Sequence, residues 1–442
     1  MRHLALLIAS TAFVALAVQG AAQPEAPHVA PARIDAPPRI DGRLDDAAWA
    51  NAAVIADIPT PDSPEGRRTS VRLAYDDLRL YLGWVCFEPE MSKLVTACSP
   101  SRDKGWGDDS IEVFLQPRPP RGAFFQIIVN AANVLADSRY DEALVRDLTW
   151  DGSTVSAVTR DADVWYVEMA IPWADLELTC DTGPTMGLHF ARWQPIPRGV
   201  NSHWGRPGHP KNADPKAFGR MDGISLEFDV YAVTAHAPRL AEGLCFGTNR
   251  IPVDLANAGD RPRKLRLEGE ASWTEPEQEA LPAAPRRFEI APGEQLQVAV
   301  DLTTTKRQGT VCGRVRLVDE ETGQVLRRMV RYAPVPEKLL QIIPSRRYLY
   351  ASDETFNVLL YAFIGETSLK DHVLRVTHPS GGDAPVVSEI TLTDRAAEIP
   401  VKTSQLPLGS VPITFEVLPV GGGEPLDRVE TTVVRLNGPF DD

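Results

Sequence analysis

The sequence predicts an all-β protein built from several antiparallel β-sandwiches. Short segments with alternating apolar and polar residues follow one another closely, as in residues 71–75 and 111–115. The chain also contains 38 prolines and 31 glycines, which suits many strands joined by turns. Its 442 residues exceed what one hydrophobic core usually organises, so we expect roughly two to four domains.

The first residues predict export from the cell. Residues 1–22 combine a basic start at Arg2 with an apolar run from Leu4 to Val18 and a small-residue end, the pattern of a signal peptide. Residues 23–32 are rich in proline and alanine, so we expect a flexible lead-in. The apolar run is too short for a membrane span, and no later segment is long and apolar enough. We therefore expect a secreted or periplasmic protein without a transmembrane segment.

Composition and charge narrow the class of partner. Hydrophobic residues make up 43% of the chain and charged residues 24%, which is typical of a globular protein. The formal net charge of −14 disfavours nucleic acid and anionic membrane surfaces as partners, because both repel an acidic protein.

A first domain is predicted over residues 33–227. It begins with a turn and a short helix at residues 40–49, where Trp49 is expected in the core. Trp84, Trp165 and Trp173 lie in strand patterns and are also expected in the core. The predicted strands of this domain are 71–75, 80–86, 111–115, 124–130, 154–160, 165–171 and 188–193.

Two tryptophans and one glutamate stand out as candidate ligand-binding residues. Trp106 lies between Gly105 and Gly107, which predicts a loop apex, and Trp204 lies in an equally polar, irregular segment. Glu112 alternates with Ile111 and Val113, so its side chain is predicted to point away from the apolar face of the strand. Indole rings cover the apolar C–H faces of a pyranose, and carboxylates accept hydrogen bonds from its hydroxyls. These residues therefore predict a sugar site.

The first domain resembles the family 9 carbohydrate-binding modules and the related DOMON-like sandwiches. The resemblance covers roughly residues 34–222 and depends on landmarks that occur in the family's order. These landmarks are residues 40–49, 74–81, 106–114, 165–173, and Trp204 followed by Phe218-Gly219.

The resemblance implies roles for individual residues. Trp106 and Trp204 would clamp the sugar, and Glu112 would accept hydrogen bonds from its hydroxyls. Family members that bind sugar ends tightly carry a basic residue on the strand that here offers Gln126 and Asn130. Arg192 is expected to replace it if its side chain points into the same cleft. Calcium is a family trait, and the acidic pairs Asp76-Asp77 and Asp108-Asp109 supply oxygen ligands for it.

Two further sandwiches are predicted after the first domain, over residues 228–336 and 337–442. Both segments contain strand–turn units, and the second ends in a short polar tail from Asn437 to Asp442. Each has the size of one immunoglobulin-like sandwich, and neither contains a motif that predicts chemistry.

The predicted function is the capture of an oligosaccharide or polysaccharide, either alone or beside a glycoside hydrolase, without catalysis by this chain. A glycosidase remains an alternative because Glu112 and Glu168 are both strand carboxylates, and two carboxylates across a cleft can hydrolyse glycosides. A structural surface protein without ligand is a further alternative.

Haem binding is an alternative too, because some DOMON-like sandwiches hold b-type haem through axial Met, His or Lys. The residues available for it are Met91, Lys104, Met169, Met186 and His189.

The cysteines leave two interpretations open. Export permits disulfides, and Cys86–Cys98 and Cys245–Cys312 are candidate pairs, with Cys180 left over. Alternatively, all of them are small buried apolar residues.

Overall fold

The structure is a computed structural model. It describes residues 25–58, 68–98, 107–195, 199–206, 212–237, 243–274, 280–305 and 308–438. The signal peptide, Lys104 and Trp106 therefore lie outside the described residues.

Strands are the main regular secondary structure of the described residues, as the alternating sequence pattern predicts. The first sandwich contains the strands β1 (His28–Val29), β2 (Ala32–Arg33), β3 (Ala53–Ile55), β4 (Thr69–Tyr75), β5 (Arg79–Phe87), β6 (Ser110–Gln116), β7 (Phe124–Asn130), β8 (Leu135–Tyr140), β9 (Arg146–Asp147), β10 (Val155–Arg160), β11 (Val164–Pro172), β12 (Met186–Gln194), β13 (Val200–Trp204) and β14 (Gly219–Met221). Its 3₁₀ turns are Ala47–Trp49, Met91–Lys93, Trp173–Asp175, Pro215–Ala217 and, at its end, Phe228–Tyr231.

These strands form two sheets that face each other. One is an eight-stranded sheet in the order β1-β14-β12-β6-β7-β8-β9, with β13 paired to β12. The other is a six-stranded sheet in the order β10-β11-β5-β4-β2, with β3 paired to β4. Apolar side chains of both sheets fill the space between them, including Ile111, Val113 and Leu115 of β6. The expected burial of Trp49, Trp84, Trp165 and Trp173 is confirmed.

The N-terminal lead-in differs from the expectation of a flexible segment. His28–Val29 pairs in parallel with β14, and Ala32–Arg33 pairs in parallel with β4. The main-chain N–H groups of Arg220 and Asp222 also donate to the carbonyl oxygens of Pro27 and Val29. Backbone hydrogen bonding to strands distant in sequence therefore orders a segment that its composition alone marks as irregular.

The second sandwich packs a three-stranded sheet against a five-stranded sheet around a separate core. Its strands are β15 (Val233–His236), β16 (Gly247–Asn257), β17 (Arg263–Trp273), β18 (Leu281–Pro282), β19 (Arg286–Ile290), β20 (Gln295–Thr304), β21 (Gly309–Asp319) and β22 (Val325–Val335). The sheet orders are β15-β16-β20 and β18-β17-β21-β22, with β19 paired to β17. The core contains Leu265, Leu267 and Leu317.

The third sandwich has the same division into a three-stranded and a five-stranded sheet. Its strands are β23 (Leu340–Pro344), β24 (Tyr348–Tyr350), β25 (Thr355–Ala362), β26 (His372–His378), β27 (Val386–Thr391), β28 (Ala396–Lys402), β29 (Gly409–Pro419) and β30 (Asp427–Leu436). Its 3₁₀ turns are Glu366–Asp371 and Thr403–Gln405. The sheet orders are β23-β25-β28 and β24-β30-β29-β26-β27. The description of the second and third sandwiches as immunoglobulin-like stays a prediction.

Polar contacts join the first two sandwiches. Arg327 of β22 is 4% exposed, and its guanidinium donates to the carbonyl oxygens of Leu178 and Tyr231. Tyr332 donates its hydroxyl to Asp151 at 2.6 Å. Because these bonds are made by partly or fully buried groups, they fix β22 against the base of the first sandwich.

None of the five cysteines, all within the described residues, forms a disulfide, so neither candidate pair is bridged. Within the described part of the chain, no helix has the length and apolarity needed to cross a membrane.

Candidate functional site

The outer face of the eight-stranded sheet carries a polar network around Gln126. Gln126 Nε2 donates to Glu112 Oε2 at 2.9 Å, across the β6–β7 pair. Gln126 Oε1 accepts from Tyr140 Oη at 3.1 Å, Ser138 Oγ at 3.3 Å and Arg146 Nη2 at 3.2 Å. The amide of Gln126 is therefore held with its nitrogen towards Glu112, and we call these five residues the Gln126 network.

Strand alternation explains why this network faces outwards. In β6, Ile111 and Val113 enter the core, so Glu112 between them points to the opposite side. Register places Gln126 of β7 opposite Phe114 and next to Ser138 of β8, all on that outer side. The predicted orientation of Glu112 is confirmed.

Glu112 is partly buried, and this environment changes its acidity. Burial raises the pKa of the Glu112 carboxyl above its usual value of 4.5, because the ionised form loses solvation. The hydrogen bond from Gln126 and the charge of Arg146 act in the opposite direction. A hydrogen bond from a hydroxyl stabilises a partly buried carboxylate more than it stabilises a fully hydrated one.

Trp193 is an aromatic residue on the same outer face as Glu112. It lies opposite Ser110 on β6 and opposite Asn201 on β13. Because Ala191 is the partner of Glu112, Trp193 is its diagonal neighbour, at roughly 7 Å between Cβ atoms. Trp193 is partly exposed, so it can offer apolar surface on this face.

Trp204 lies in the core rather than in a loop. It ends β13 opposite Phe190, and the two ring centroids are 5.9 Å apart. Its side chain is 8% exposed and belongs to the main core of the first sandwich. Gly219 allows this packing, because a Cβ there would come within 2.8 Å of the Trp204 ring. The expected loop position is therefore wrong, since β13 extends the sheet and alternation turns Trp204 inwards.

Arg192 also points away from the Gln126 network. It lies opposite Ile111, on the core side of β12, and is 1% exposed. Its Nη1 donates to Phe87 O at 2.9 Å and to Thr69 Oγ1 at 3.1 Å, and its Nη2 lies 3.5 Å from Glu88 Oε2. Arg192 thus connects the two sheets through a buried ion pair. It cannot replace a basic residue in the cleft as we expected; Arg146, which the sequence did not single out, is the cation of the network.

Asn130 and the four candidate calcium ligands have structural hydrogen bonds. Asp108 accepts from the backbone of Ala97 and Cys98 and from Asn130 Nδ2 at 2.8 Å. Asp109 Oδ2 accepts from Val95 N at 2.7 Å.

Asp76 Oδ1 accepts from the backbone N–H groups of Leu78 and Arg79, which stabilises the β4–β5 turn. Asp77 pairs with Arg33 at 2.6 Å. The described residues hold no cluster of three or more His, Cys, Asp or Glu side chains arranged for a metal.

The second carboxylate of the glycosidase alternative lies on the other sheet. Glu168 of β11 is fully buried beside Trp49, on the outer side of the six-stranded sheet. Its Oε2 accepts from the N–H groups of Asp41 and Gly42 at 2.9 Å, and its Oε1 accepts from Trp49 Nε1 at 2.7 Å. The core separates Glu168 from Glu112, so these two carboxylates do not face each other across a cleft.

The candidate haem ligands in the described residues do not converge either. Met169 and Met186 are buried in the packed core, and Met91 packs against its edge. His189 lies on the outer face of β12 between Phe218 and His203, with ring centroids 5.6 Å and 5.7 Å away. Met186 and His189 therefore point to opposite sides of one strand.

A family comparison agrees with this sandwich. Residues 40–222 match the family described as carbohydrate family 9 binding domain-like. The N-terminal half of the chain therefore carries a domain of the family 9 carbohydrate-binding type. A comparison with curated proteins finds no match.

Solved structures similar to this chain include carbohydrate-binding modules. A family 9 module from Caldicellulosiruptor kristjanssonii, solved with cellotriose, is 20% identical, covers 46% of this chain and 94% of its own, and has a TM-score of 0.34. The same organism's module with glucose is 20% identical, with 45% and 94% covered and a TM-score of 0.33. A protein from Bacteroides uniformis, described as a putative carbohydrate-binding protein, is 16% identical, with 45% and 99% covered and a TM-score of 0.37.

Proposed function

We propose that this chain is a non-catalytic carbohydrate-binding protein, and that its sugar site is the outer face of the eight-stranded sheet around Glu112. The observation that carries the proposal is the Gln126 network, with the partly exposed residue Trp193 on the same face and diagonal to Glu112 in the register of β12 and β6. The family match over residues 40–222 supports the same class of ligand.

Each part of this surface has a matching part on a pyranose. Gln126 occupies one oxygen of Glu112, which leaves the other to accept a hydrogen bond from a sugar hydroxyl. Arg146, whose guanidinium lies 5.6 Å from the Tyr140 ring centroid, supplies donors to sugar oxygens. Trp193 supplies the stacking surface, a role that the sequence had assigned to Trp204. Trp106 remains a candidate for a second stacking ring.

Binding to such a surface should be of modest affinity. Sugar hydroxyls and the Glu112 carboxylate both give up water before they meet, so only part of each hydrogen bond appears as net affinity. The role we infer is glycan capture in polysaccharide breakdown, alone or beside a glycoside hydrolase.

Binding measurements on two variants test the site. Trp193→Ala and Glu112→Gln should each weaken binding of glucose or cellotriose at least tenfold, measured by calorimetry, with affinity gels for polysaccharides. The matched controls lie in the third sandwich. Tyr348→Ala removes an aromatic side chain that is 61% exposed, and Glu398→Gln changes a strand carboxylate that also accepts from an amide, Asn357 Nδ2, at 2.7 Å. Wild-type affinity in both site variants would disprove the assignment.

We also propose that the protein is exported and that residues 1–22 are removed. The basic start and apolar run of these residues support the proposal. Mass spectrometry of the protein from the extracellular or periplasmic fraction should give a mature N-terminus near residue 23. A cytoplasmic protein that retains its first residues would contradict this.

A further inference from the structure

A second cleft opens at the other end of the same sheet face. It has a volume of about 980 Å³ and lies where β6 ends and β12 and β14 begin, and its lining includes Gln116, Gly187 and Gly219. Pro119, Pro120 and Leu144 line it as well, as do Asp214, Pro215 and Phe218. This volume is enough for a small ligand.

An aromatic cluster lies between this cleft and Glu112. In it Phe114 and Phe124 pack with Tyr140 of the Gln126 network and with Phe218, which lines the cleft. Glu112 and Gln116 are four residues apart on β6, which corresponds to about 13 Å along the strand. The cleft is therefore a separate site rather than an extension of the first.

Positive side chains line the cleft in an acidic protein. Arg206, Lys216 and Arg220 contribute to its walls, whereas the whole chain has a net charge of −14. Glu25, Glu142 and Asp214 also line it, but two of these carboxylates are engaged by backbone groups. Glu142 accepts from Gly122 N at 2.8 Å, and Asp214 accepts from Lys216 N at 3.0 Å.

Arg206 is the residue that indicates the charge of the ligand. Its main-chain N–H donates to Ala217 O at 2.7 Å, which fixes the start of its side chain at the cleft. Its Nε is buried and has no hydrogen-bond acceptor among the described residues. Because this Nε is closed off from solvent, a ligand in the cleft can reach only the terminal nitrogens of Arg206, and a carboxylate can accept from both of them together.

Resting on the proposed function, we propose that this cleft is a second carbohydrate site that binds an anionic sugar residue through Arg206, assisted by Lys216 and Arg220. The anionic group sits on the guanidinium, and the apolar face of the ring lies against Leu144 and Pro120. A uronic acid carries such a carboxylate, and a sugar phosphate presents the same charge, so the test includes both.

The full chain is titrated by calorimetry with glucuronate, galacturonate, glucose 6-phosphate, glucose and inorganic phosphate. Glucuronate or galacturonate should bind, and added salt should weaken binding because the contact is ionic. Arg206→Gln should weaken it at least tenfold without changing glucose binding. Lys216→Gln, at an exposed position, should weaken it by a smaller factor and gives a second variant if Arg206→Gln folds poorly. The control is Arg250→Gln, an arginine of the second sandwich that is 53% exposed.

The outcomes separate this inference from the proposed function. Glu112→Gln should weaken glucose binding and leave uronate binding unchanged, the opposite of Arg206→Gln. Glucose binding without uronate or sugar phosphate binding would overturn the second site alone. Binding of inorganic phosphate as tight as that of the anionic sugars would overturn its carbohydrate specificity. Uronate binding that Arg206→Gln does not change would overturn the location. A chain that binds no sugar at all would overturn both proposals.

Discussion

Glu112 accepts a hydrogen bond from Gln126, and burial makes its ionised form less stable than in water. A sugar hydroxyl that donates to the carboxylate would stabilise this ionised form. If Glu112 binds the sugar as proposed, ligand binding and deprotonation of Glu112 should favour each other, and binding should depend on pH.

We predict that sugar affinity declines as the pH falls through the raised pKa of Glu112, at a pH above 4.5. Protonation removes the charge that strengthens the hydrogen bond, so the neutral acid binds less well. Dissociation constants from calorimetry across this range would show the decline. Glu112→Gln should bind weakly and show little of this dependence; an unchanged pH profile in that variant would refute the role of the carboxylate.

His189 predicts an acid-sensitive first sandwich. Burial lowers its pKa from 6.5 to about 4, with His203 adding to the shift. His189 therefore binds a proton more readily in the unfolded chain than in the folded one. The free energy of unfolding should decrease by on the order of 3 kcal/mol as the pH falls from about 6.5 to about 4. Melting temperatures measured over this range should drop for the wild type.

The substitution His189→Phe tests the origin of this drop. Phenylalanine is expected to pack between Phe114 and Phe218 without a titrating group, so the melting temperature should depend less on pH. His236→Asn at an exposed position serves as the control and should leave the wild-type profile intact. If His189→Phe melts with the same pH dependence as the wild type, the effect has another source.

Sequence patterns could predict the direction of Glu112 but not those of Arg192 and Trp204. Ile111, Val113 and Leu115 define the alternation of β6 unambiguously, because all are strongly apolar. In β12 the inward residue is charged, and its burial depends on Glu88, which is distant in sequence. A charged residue such as Arg192 is expected to point outwards, which would turn the adjacent Trp193 into the core. Trp193 was therefore not predicted as a surface residue. Trp193 is two residues from Ala191 and four from His189, so strand alternation places all three on one face. This alternation could have indicated Trp193 from the sequence.

At the scale of elements, Glu168 holds the first turn of the domain against β11. Its carboxylate accepts from the backbone of Asp41 and Gly42 and from the indole of Trp49. With the main-chain N–H of Arg43, which donates to Oε2 at 3.3 Å, four donors from one short segment share this buried carboxylate. The turn at the start of this segment therefore has to present its N–H groups together to Glu168.

We predict that Glu168→Ala destabilises the protein by about 2–4 kcal/mol, because it leaves several buried donors unpaired. Glu168→Gln should be milder, since its amide oxygen still accepts. Chemical denaturation of both variants measures these losses. Sugar binding at Glu112 should survive in folded Glu168→Gln, and its complete loss would instead favour a direct role for Glu168 in the ligand site.

β13 shows why some strands cannot be predicted from the local sequence. Its residues 200–204 include Asn201, Ser202 and His203, which have little strand preference. Pairing with β12 over five residues makes this segment a strand, and the pairing is a tertiary contact. The strands with strongly apolar alternation, such as β5, β6 and β11, could be predicted because their local pattern and their final environment agree.

At the scale of the whole molecule, β22 connects the stability of the first two sandwiches. Arg327 binds carbonyl oxygens at Leu178 and Tyr231, and Arg328 lies 3.6 Å from the buried carboxylate of Asp175. Burial lowers the pKa of Arg327 to about 10, which leaves it charged at neutral pH. Backbone carbonyl oxygens of the first sandwich therefore stabilise the buried charge of Arg327 between the two domains.

We predict that the first two sandwiches unfold together in calorimetry and that Arg327→Ala separates them into two transitions. The variant leaves the carbonyl oxygens of Leu178 and Tyr231 without their buried donor, at a cost of about 2–4 kcal/mol. Arg250→Ala, in the same sandwich but exposed, should keep the joint transition. Two separate transitions in the wild type would show that the junction does not couple these domains.

The presence of several β-sandwiches could be predicted from chain length, turn residues and alternation, whereas their junctions could not. Contacts such as the hydroxyl of Tyr332 on Asp151 join residues that no local pattern relates. The same holds for the main-chain bonds between Phe246 and the residues Phe363 and Gly365, which join the second and third sandwiches.

The parallel pairing of β1 with β14 has a practical consequence for handling the protein. Glu25 and Ala26 line the cleft just before β1, so a purification tag, a fluorophore or an immobilising linker joined at residue 25 would be attached beside it. Such a group would crowd a ligand of the proposed second site. Attachment after β30, in the third sandwich, avoids this and keeps both proposed sugar surfaces accessible.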